Sequence, residues 1–481
     1  MTKMMKRTMK NMSDTASFFK NLDLGVAAFK DLKPDSILSV SHNDGDGITA
    51  SALICKTMDF MKVARVQLIF ERAESWATYF SSKLEKYRGI DAVFLTDLGA
   101  EEKQLCDIFG SRDDIQLFIL DHHKISESEC IEEYPENVHS MNPTRFGLDG
   151  LRDIAGSTLT YLFCERLTSR VKKLSWLPAV GMAGDVLKSA DKYDSINKDV
   201  LDIAIEEGTI QLHEGIAMLG GMAEQELTSS MTFSLLPFLQ EIGGNQKISN
   251  DLLSSNEIDP SSNILTLDDE TRKKLLDIFG DRISGESAMI PGREDILSHT
   301  FEFNFLIGIV GDTDHQGALD LLDKKKPTQE ILTVYHNYLQ NLVSCLGKIT
   351  SKNSIEGDYE GFFEGETFKF FQLGDDTTKQ LVSDLASFTS VNNLLSSEKL
   401  LIIAAKESDE KYKLSFRCSP KFVNARNIGM GTTIEKLSNI HGGRGGGHDL
   451  AGGWTVPAQE YGQFLENITI IDEIIQGEEM T

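Results

Sequence analysis

Four short runs in the first 120 residues constrain the fold more than anything else in this chain. They are Ser36–Val40 (SILSV), Val66–Phe70 (VQLIF), Asp91–Leu95 (DAVFL) and Ile115–Leu120 (IQLFIL). Each is apolar almost throughout, without the polar–apolar alternation of a strand that has one wet face. Strands buried on both faces read this way, and helices packed on a parallel sheet are the usual cover. The intervening residues agree. Ile48–Met61 has helical spacing, and Gly156–Leu167 and Leu177–Ser189 read as further helices.

Three of these strands end alike. SILSV leads into Ser41-His42-Asn43-Asp44-Gly45-Asp46-Gly47, AVFLT into Asp97-Leu98-Gly99, and LFIL into Asp121-His122-His123-Lys124. In an open parallel sheet the carboxyl ends share one edge, where ligands bind, so the three clusters are expected to converge. Asp185, at the end of the apolar stretch AVGMAGD, is a fourth candidate. Any one aspartate after a strand reads equally well as a turn or cap residue. Together, and with three histidines, they read as a site. Converging carboxylates repel, and burying them unpaired costs several kcal/mol each. A divalent cation removes that cost. A mixed imidazole and carboxylate donor set suits Mn²⁺, and two ions about 3.5–4 Å apart suit phosphoryl chemistry.

A chain of 481 residues with 40% hydrophobic content is expected to form two or three domains. Composition shifts near residue 215, and 241–298 is acidic and polar (SSNEIDPSSN) with helix-like pieces such as TRKKLLDIFG. A helical stretch at Pro327–Lys348 reads as a connector. From about 355 to 475, runs such as GFFEGETFKFF, KLLIIAA and KYKLSFRCS suggest strands mixed with helices, hence a second α/β domain. The net charge of −26 argues against a broad surface for coating nucleic acid. Six scattered cysteines without a CxxC pair fit a reducing cytoplasm. The basic start, MTKMMKRTMK, lacks an apolar core and is expected to be an unstructured tail, not a signal peptide. No apolar run approaches the length of a bilayer span, so no membrane partner is expected.

The stretch HGGRGGGHDLAGG (441–453) holds seven glycines in thirteen residues, which is entropically costly unless backbone must approach something closely. We expect a loop whose exposed N–H groups of Gly445, Gly446 and Gly447 form an anion nest, with a helical connection from Asp449 adding its dipole. Lys411–Val456 carries four Lys and three Arg against two acids, a local +5. Arg417, Arg426 and Arg444 are suited to bidentate phosphate contacts, and His448 to donating a hydrogen bond. The apolar flanks Ile440, Leu450 and Trp454 argue against a mere linker. Trp454 and Phe416 are expected in the core, and Asp312, Asp314 and His315 (GDTDHQG) in a solvated turn.

These motifs resemble a known family. HxDxDG (His42, Asp44, Asp46, Gly47), Asp97, the literal Asp121-His122-His123 and Asp185 are similar to the four motifs of the DHH phosphoesterases. Gly445-Gly446-Gly447-His448 followed by Ala451-Gly452-Gly453 resembles the GGGHxxAGG signature of their DHHA1 substrate domain. Motif order and spacing cover nearly the whole chain, with 215–300 the least matched. Length and the large middle segment look most like RecJ-type single-strand exonucleases, above all the archaeal RecJ-like group. The resemblance implies an N-terminal parallel-sheet DHH domain (1–215), a helical insertion and connector (216–350) and a C-terminal α/β DHHA1 domain (351–481).

The resemblance also implies roles. Carried over residue by residue, His42, Asp44 and Asp97 would hold one Mn²⁺, and Asp46, Asp97, His122 and Asp185 a second, with Mg²⁺ or Co²⁺ as substitutes. Asp121 would orient a ligand histidine, and His123 would sit beside the scissile phosphate. The implied substrate is single-stranded DNA or RNA, threaded between two domains. There are departures. Phe303–Gly308 (FNFLIG) keeps the Asn of an INAAGR-like segment but lacks its Arg, and no OB-fold-like domain follows 475, so long strands would need a partner. An oligoribonucleotide or small-nucleotide phosphodiesterase is the second reading. The third is a replicative-helicase scaffold that binds GINS, with or without nuclease activity, for which 241–298 would be a docking surface.

Overall fold

The computed structural model describes residues 3–70, 75–126, 128–150, 152–222, 226–350, 361–374, 379–394, 397–447 and 449–477. It divides into two compact units, Met1–Ala223 with Ser284–Ile331, and Glu224–Ile283 with Leu332–Thr481. The stretch 216–350 therefore contributes to both.

The first unit opens with α1 (Lys3–Leu32), so the basic start expected to be an unstructured tail is helical from Lys3. Its Lys, Met and Arg residues are good helix formers, and neither Gly nor Pro interrupts them. Then β1 (Ser36–Ser41), α2 (Gly45–Met61), β2 (Ala64–Ile69), α3 (Trp76–Lys86), β3 (Ala92–Thr96), α4 (Glu102–Phe109) and β4 (Gln116–Leu120) alternate. A three-residue strand, β5 (Val138–Ser140), completes a sheet of order β2-β1-β3-β4-β5, parallel throughout. β1, β3 and β4 are buried on both faces, as their apolar runs require, whereas the edge strand β2 is exposed at Ala64 and Arg65 and only half-buried from Val66 to Leu68. Val93, Leu95, Leu117 and Ile119 pack with Phe80 and Phe109 of α3 and α4. Phe94 and Phe118 point the other way, against Phe29 of α1 and Phe163 of α5 (Gly156–Leu167). Helices α6 (Trp176–Val186) and α7 (Ser195–Glu206) follow, then β6 (Gln211–Ile216).

The chain next enters the second unit through three helices, α8 (Leu227–Thr232), α9 (Gln246–Ser255) and α10 (Asp269–Phe279). It returns as β7 (Ser284–Met289), which pairs antiparallel with β6, so the middle region expected to be helical contributes a strand. Helices α11 (Thr300–Gly311) and α12 (His315–Leu321) close the first unit.

The second unit continues through α13 (Gln329–Thr350), β8 (Phe362–Glu364), β9 (Phe368–Gln372), α14 (Lys379–Val391), β10 (Leu400–Ser408) and β11 (Lys411–Arg417). It ends with α15 (Pro420–Arg426), α16 (Met430–His441), β12 (Arg444–Gly447), β13 (Ala451–Pro457), α17 (Ala458–Glu466) and α18 (Ile470–Gln476). Its mixed sheet has order β12-β13-β11-β10-β9-β8, with β9 and β10 parallel and the other pairs antiparallel. Trp454 and Phe416 lie in its core, as expected. Among the described residues no helix is long and apolar enough to cross a membrane.

One expectation fails here. The glycine-rich stretch is not a nest loop followed by a helix. Arg444–Gly447 is an edge strand, and Ala451–Pro457 is the strand beside it. The glycines serve packing on α16. A methyl at Gly445 would come within 2.5 Å of Ile434 Cγ2, and one at Gly452 within 2.4 Å of Ile434 Cδ1.

Candidate metal centre

Register sets the site. Ser41 of β1 pairs with Thr96 of β3, and Thr96 with Leu120 of β4, so the three strands end level. The residues immediately after them are His42, Asp97 and Asp121. The ladder continues into this row, His42 N donating to Thr96 O (3.3 Å) and Asp97 N to Leu120 O (2.9 Å). The order 2-1-3 reverses direction between β1 and β3, and a doubly wound sheet opens its crevice at such a point.

Asp97 is the hub. It is buried and sits at φ 58°, in the left-handed region that aspartate tolerates better than most residues. Its Oδ1 lies 2.9 Å from His122 Nε2 and 3.7 Å from His123 Nδ1, and its Oδ2 3.7 Å from His42 Nδ1. Asp44 caps α2, accepting from Gly47 N at 2.9 Å, and its other oxygen lies 2.7 Å from His42 Nδ1. Asp46, in the first turn of α2, accepts from Gly156 N (2.7 Å) and Ser157 N (3.0 Å) at the start of α5. A helix N-terminus thus steadies one carboxylate of the cluster. His122 Nε2 is 3.5 Å from Asp185 Oδ2 and 3.9 Å from Asp46 Oδ2.

Asp121 departs from its expected role. Its Oδ1 lies 2.7 Å from His123 Nδ1, so it steadies His123; His122 is held by donation of Nδ1–H to Gly150 O at 2.9 Å. Both rings still converge on Asp97 Oδ1, with their centroids 4.6 Å apart, but only His123 presents Nδ1 to Asp121. Asn142, which sequence reasoning missed, donates from Nδ2 to His123 O at 2.8 Å and accepts from Thr144 N. The Asn-Pro pair after β5 was a readable turn signal for it. Nothing in the sequence pointed to the Gly150 carbonyl.

The cluster is electrostatically unfinished as protein alone. Burial and the charges of Asp44 and Asp46 push the Asp97 carboxyl up to about 7, against the hydrogen bond from His122. Burial and Asp46 hold Asp185 well above the usual carboxylate range. Burial works against the charged forms of the histidines, but Asp44 and Asp97 raise His42 to about 9, and Asp121 raises His123 to about 10. Asp121 Oδ2 and Asp185 Oδ2 are buried without a hydrogen-bond partner. Three groups have donor atoms within 4.8 Å of one another, His42–Asp44–Asp97, Asp46–His122–Asp185 and Asp97–His122–His123. Oxygen and imidazole donors of this kind, with carboxylate oxygens lacking partners and one carboxylate facing both sides, fit divalent cations. The turn at Asp312, Asp314 and His315 forms no such group among the described residues. Asp314 caps α12 there, accepting from Gly317 N at 2.9 Å.

The residues expected to bind substrate lie in the second unit. Arg444, Gly445, Gly446 and Gly447 are exposed along edge strand β12. Arg426 is half-buried over the Phe422 ring. Arg417 turns inward, donating to Ser387 Oγ (3.0 Å) and Phe416 O (2.9 Å), and burial lowers its pKa. His448 lies outside the described residues.

Comparison with known proteins agrees with this architecture. Residues 366–474 match the model of the DHHA1 domain. An uncharacterized protein of Methanocaldococcus jannaschii, MJ0831, is 24% identical over 450 residues, covering 92% of this chain and 93% of its own. The structure of CDC45 from Entamoeba histolytica superposes over 95% of this chain and 98% of its own, with a TM-score of 0.66 at 14% identity. That of the exonuclease RecJ bound to manganese covers 94% of both chains, with a TM-score of 0.49 at 15% identity.

Proposed function

We propose that this chain is a metal-dependent phosphodiesterase of the DHH/DHHA1 type, a RecJ-like exonuclease that hydrolyses single-stranded DNA or RNA with two Mn²⁺ ions; the DHHA1 match over residues 366–474 and the donor groups around Asp97 support this reading. The observation that carries this reading is Asp97, a buried carboxylate whose two oxygens face His122 on one side and His42 on the other. His42, Asp44 and Asp97 would hold one ion, and Asp46, Asp97, His122 and Asp185 the other. Bound there, the ions would supply a means of ionising water near neutral pH and of stabilising negative charge on phosphoryl oxygens.

The chain's own residues do the rest. The α5 amides aim Asp46, and the Gly150 carbonyl holds His122 through Nδ1, so that Nε2 faces Asp97 and the other carboxylates of the cluster. His123 is part-exposed, and Asp121 outweighs burial to keep it protonated near neutrality. It can therefore donate a hydrogen bond to a phosphate oxygen. Arg444 on the exposed β12 edge is the cation we assign to the substrate backbone. Filled ligand positions weigh against a purely structural scaffold. The six cysteines are free thiols, consistent with a reducing cytoplasm.

The test is digestion of 5′- and 3′-labelled single-stranded DNA and RNA, and of a dinucleotide, with Mn²⁺. Stepwise shortening of a strand supports the exonuclease, whereas turnover of the dinucleotide alone moves the assignment to a small-nucleotide phosphodiesterase. Asp97→Ala is expected to abolish hydrolysis, and retention of more than about a tenth of the wild-type rate would sink the shared-carboxylate reading.

A further inference from the structure

Helix α11 (TFEFNFLIGIVG) is mostly apolar, and its Asn304 is not a residue that packing alone selects. The side chain is 7% exposed, with Nδ2 donating to Gly181 O of α6 at 3.0 Å. A buried carboxamide costs stability relative to an aliphatic group of the same shape unless it is well bonded. Two glycines make room for this one. A methyl at Gly45 would lie 2.3 Å from Asn304 Nδ2, and a methyl at Gly184 2.3 Å from Asn304 Oδ1. Neither glycine has a positive φ, and alanine is the better helix former at both. The space, not the backbone conformation, explains glycine there.

Gly45 stands between Asp44 and Asp46, and Gly184 immediately precedes Asp185. The carboxamide is therefore wedged between the two backbone segments that carry the carboxylates of the Asp46–His122–Asp185 group. We propose that Asn304 is a positioning residue, the spacer that sets the separation of α2 and α6 and so the distance between Asp46 and Asp185. The inference rests on the metal reading above and concerns which of the two ions the spacer serves. Gly181 tightens the same junction. A methyl there would lie 2.6 Å from Asp46 Oδ1, so α6 has no slack beyond what the amide fills.

The experiment is a titration of the full-length protein with Mn²⁺, following free Mn²⁺ by electron paramagnetic resonance, beside thermal unfolding of each variant. Wild type is expected to bind two ions. Asn304→Ala should weaken one of them by about 10–100-fold and leave the other nearly unchanged. Asn304→Leu refills the space without the donor and should restore most of that affinity. Gly184→Ala should weaken the same ion in the wild-type background and add little to Asn304→Ala, because the two substitutions act on one contact. Asn304→Ala binding both ions as wild type does would overturn the spacer, as would equal weakening of both with a fall in Tm that Asn304→Leu does not repair. Wild-type protein that binds no Mn²⁺ would instead overturn the proposed function on which this inference rests.

Discussion

At the scale of single residues, Asp97 is costly to the fold and central to the site. Its left-handed backbone costs on the order of 1–3 kcal/mol, and its carboxyl is buried among other acids. A residue that weakens the protein without its ligand should be dispensable for stability and indispensable for the ligand. Asp97→Asn keeps the shape and suits the same backbone region, so metal-free Tm should hold or rise. Mn²⁺ at about 100 times Kd should stabilise wild type by about 2.7 kcal/mol, raising Tm by roughly 5–10 °C, and the variant should lose most of that rise. Thermal scans with and without Mn²⁺ decide it, and an undiminished rise in the variant would remove Asp97 from the site. Asp97 was legible because it ends an apolar run. The partner of Asp121 was not, since only the geometry after β4 tells which of two adjacent histidines it meets.

At the scale of elements, legibility followed burial. β1, β3 and β4 have both faces covered and showed as apolar runs, whereas β5, at three residues, was too short to show. β12 misled because glycine is poor in strands, and the reason for it is Ile434, contributed by a separate helix. Asn304 was noticed only as a remnant of a motif, since its meaning depends on glycines far away in sequence. Helix α11 supplies a test of its own. Its N-cap, His299, accepts from Glu302 N through Nδ1 at 3.4 Å. Burial and neighbouring His213 lower its pKa from 6.5 to about 4. An unfolded histidine takes up a proton below about 6.5 while the folded one stays neutral until about 4. The stability it contributes is thus complete above that window and drains away as pH falls through it. Asn, also a good cap, does not titrate. Urea unfolding at pH 7.5, 6 and 5 should show wild type losing on the order of 2 kcal/mol more than His299→Asn across that range, and parallel losses would refute this account of the cap.

At the scale of the whole molecule, charge limits how a nucleic acid can be held. The chain carries −26 overall but +5 between Lys411 and Val456. Even there the cations are not all available, for Arg417 is tied to Ser387 and Lys421 lies 2.7 Å from Glu398. A single strand bound to this protein should therefore be held through few phosphates, with the surrounding surface repelling the rest. Each phosphate neutralised on a single strand contributes about −0.7 to the slope of log K against log salt, so about five contacts give a slope no steeper than roughly −3.5. Anisotropy of a labelled single-stranded oligonucleotide, titrated with the Asp97→Ala protein across a salt series, measures that slope directly. Arg444→Ala should make it shallower by about 0.7 while leaving Mn²⁺ affinity in place. A much steeper slope, or one that Arg444→Ala does not change, would mean that the strand runs over some other surface than the β12 edge.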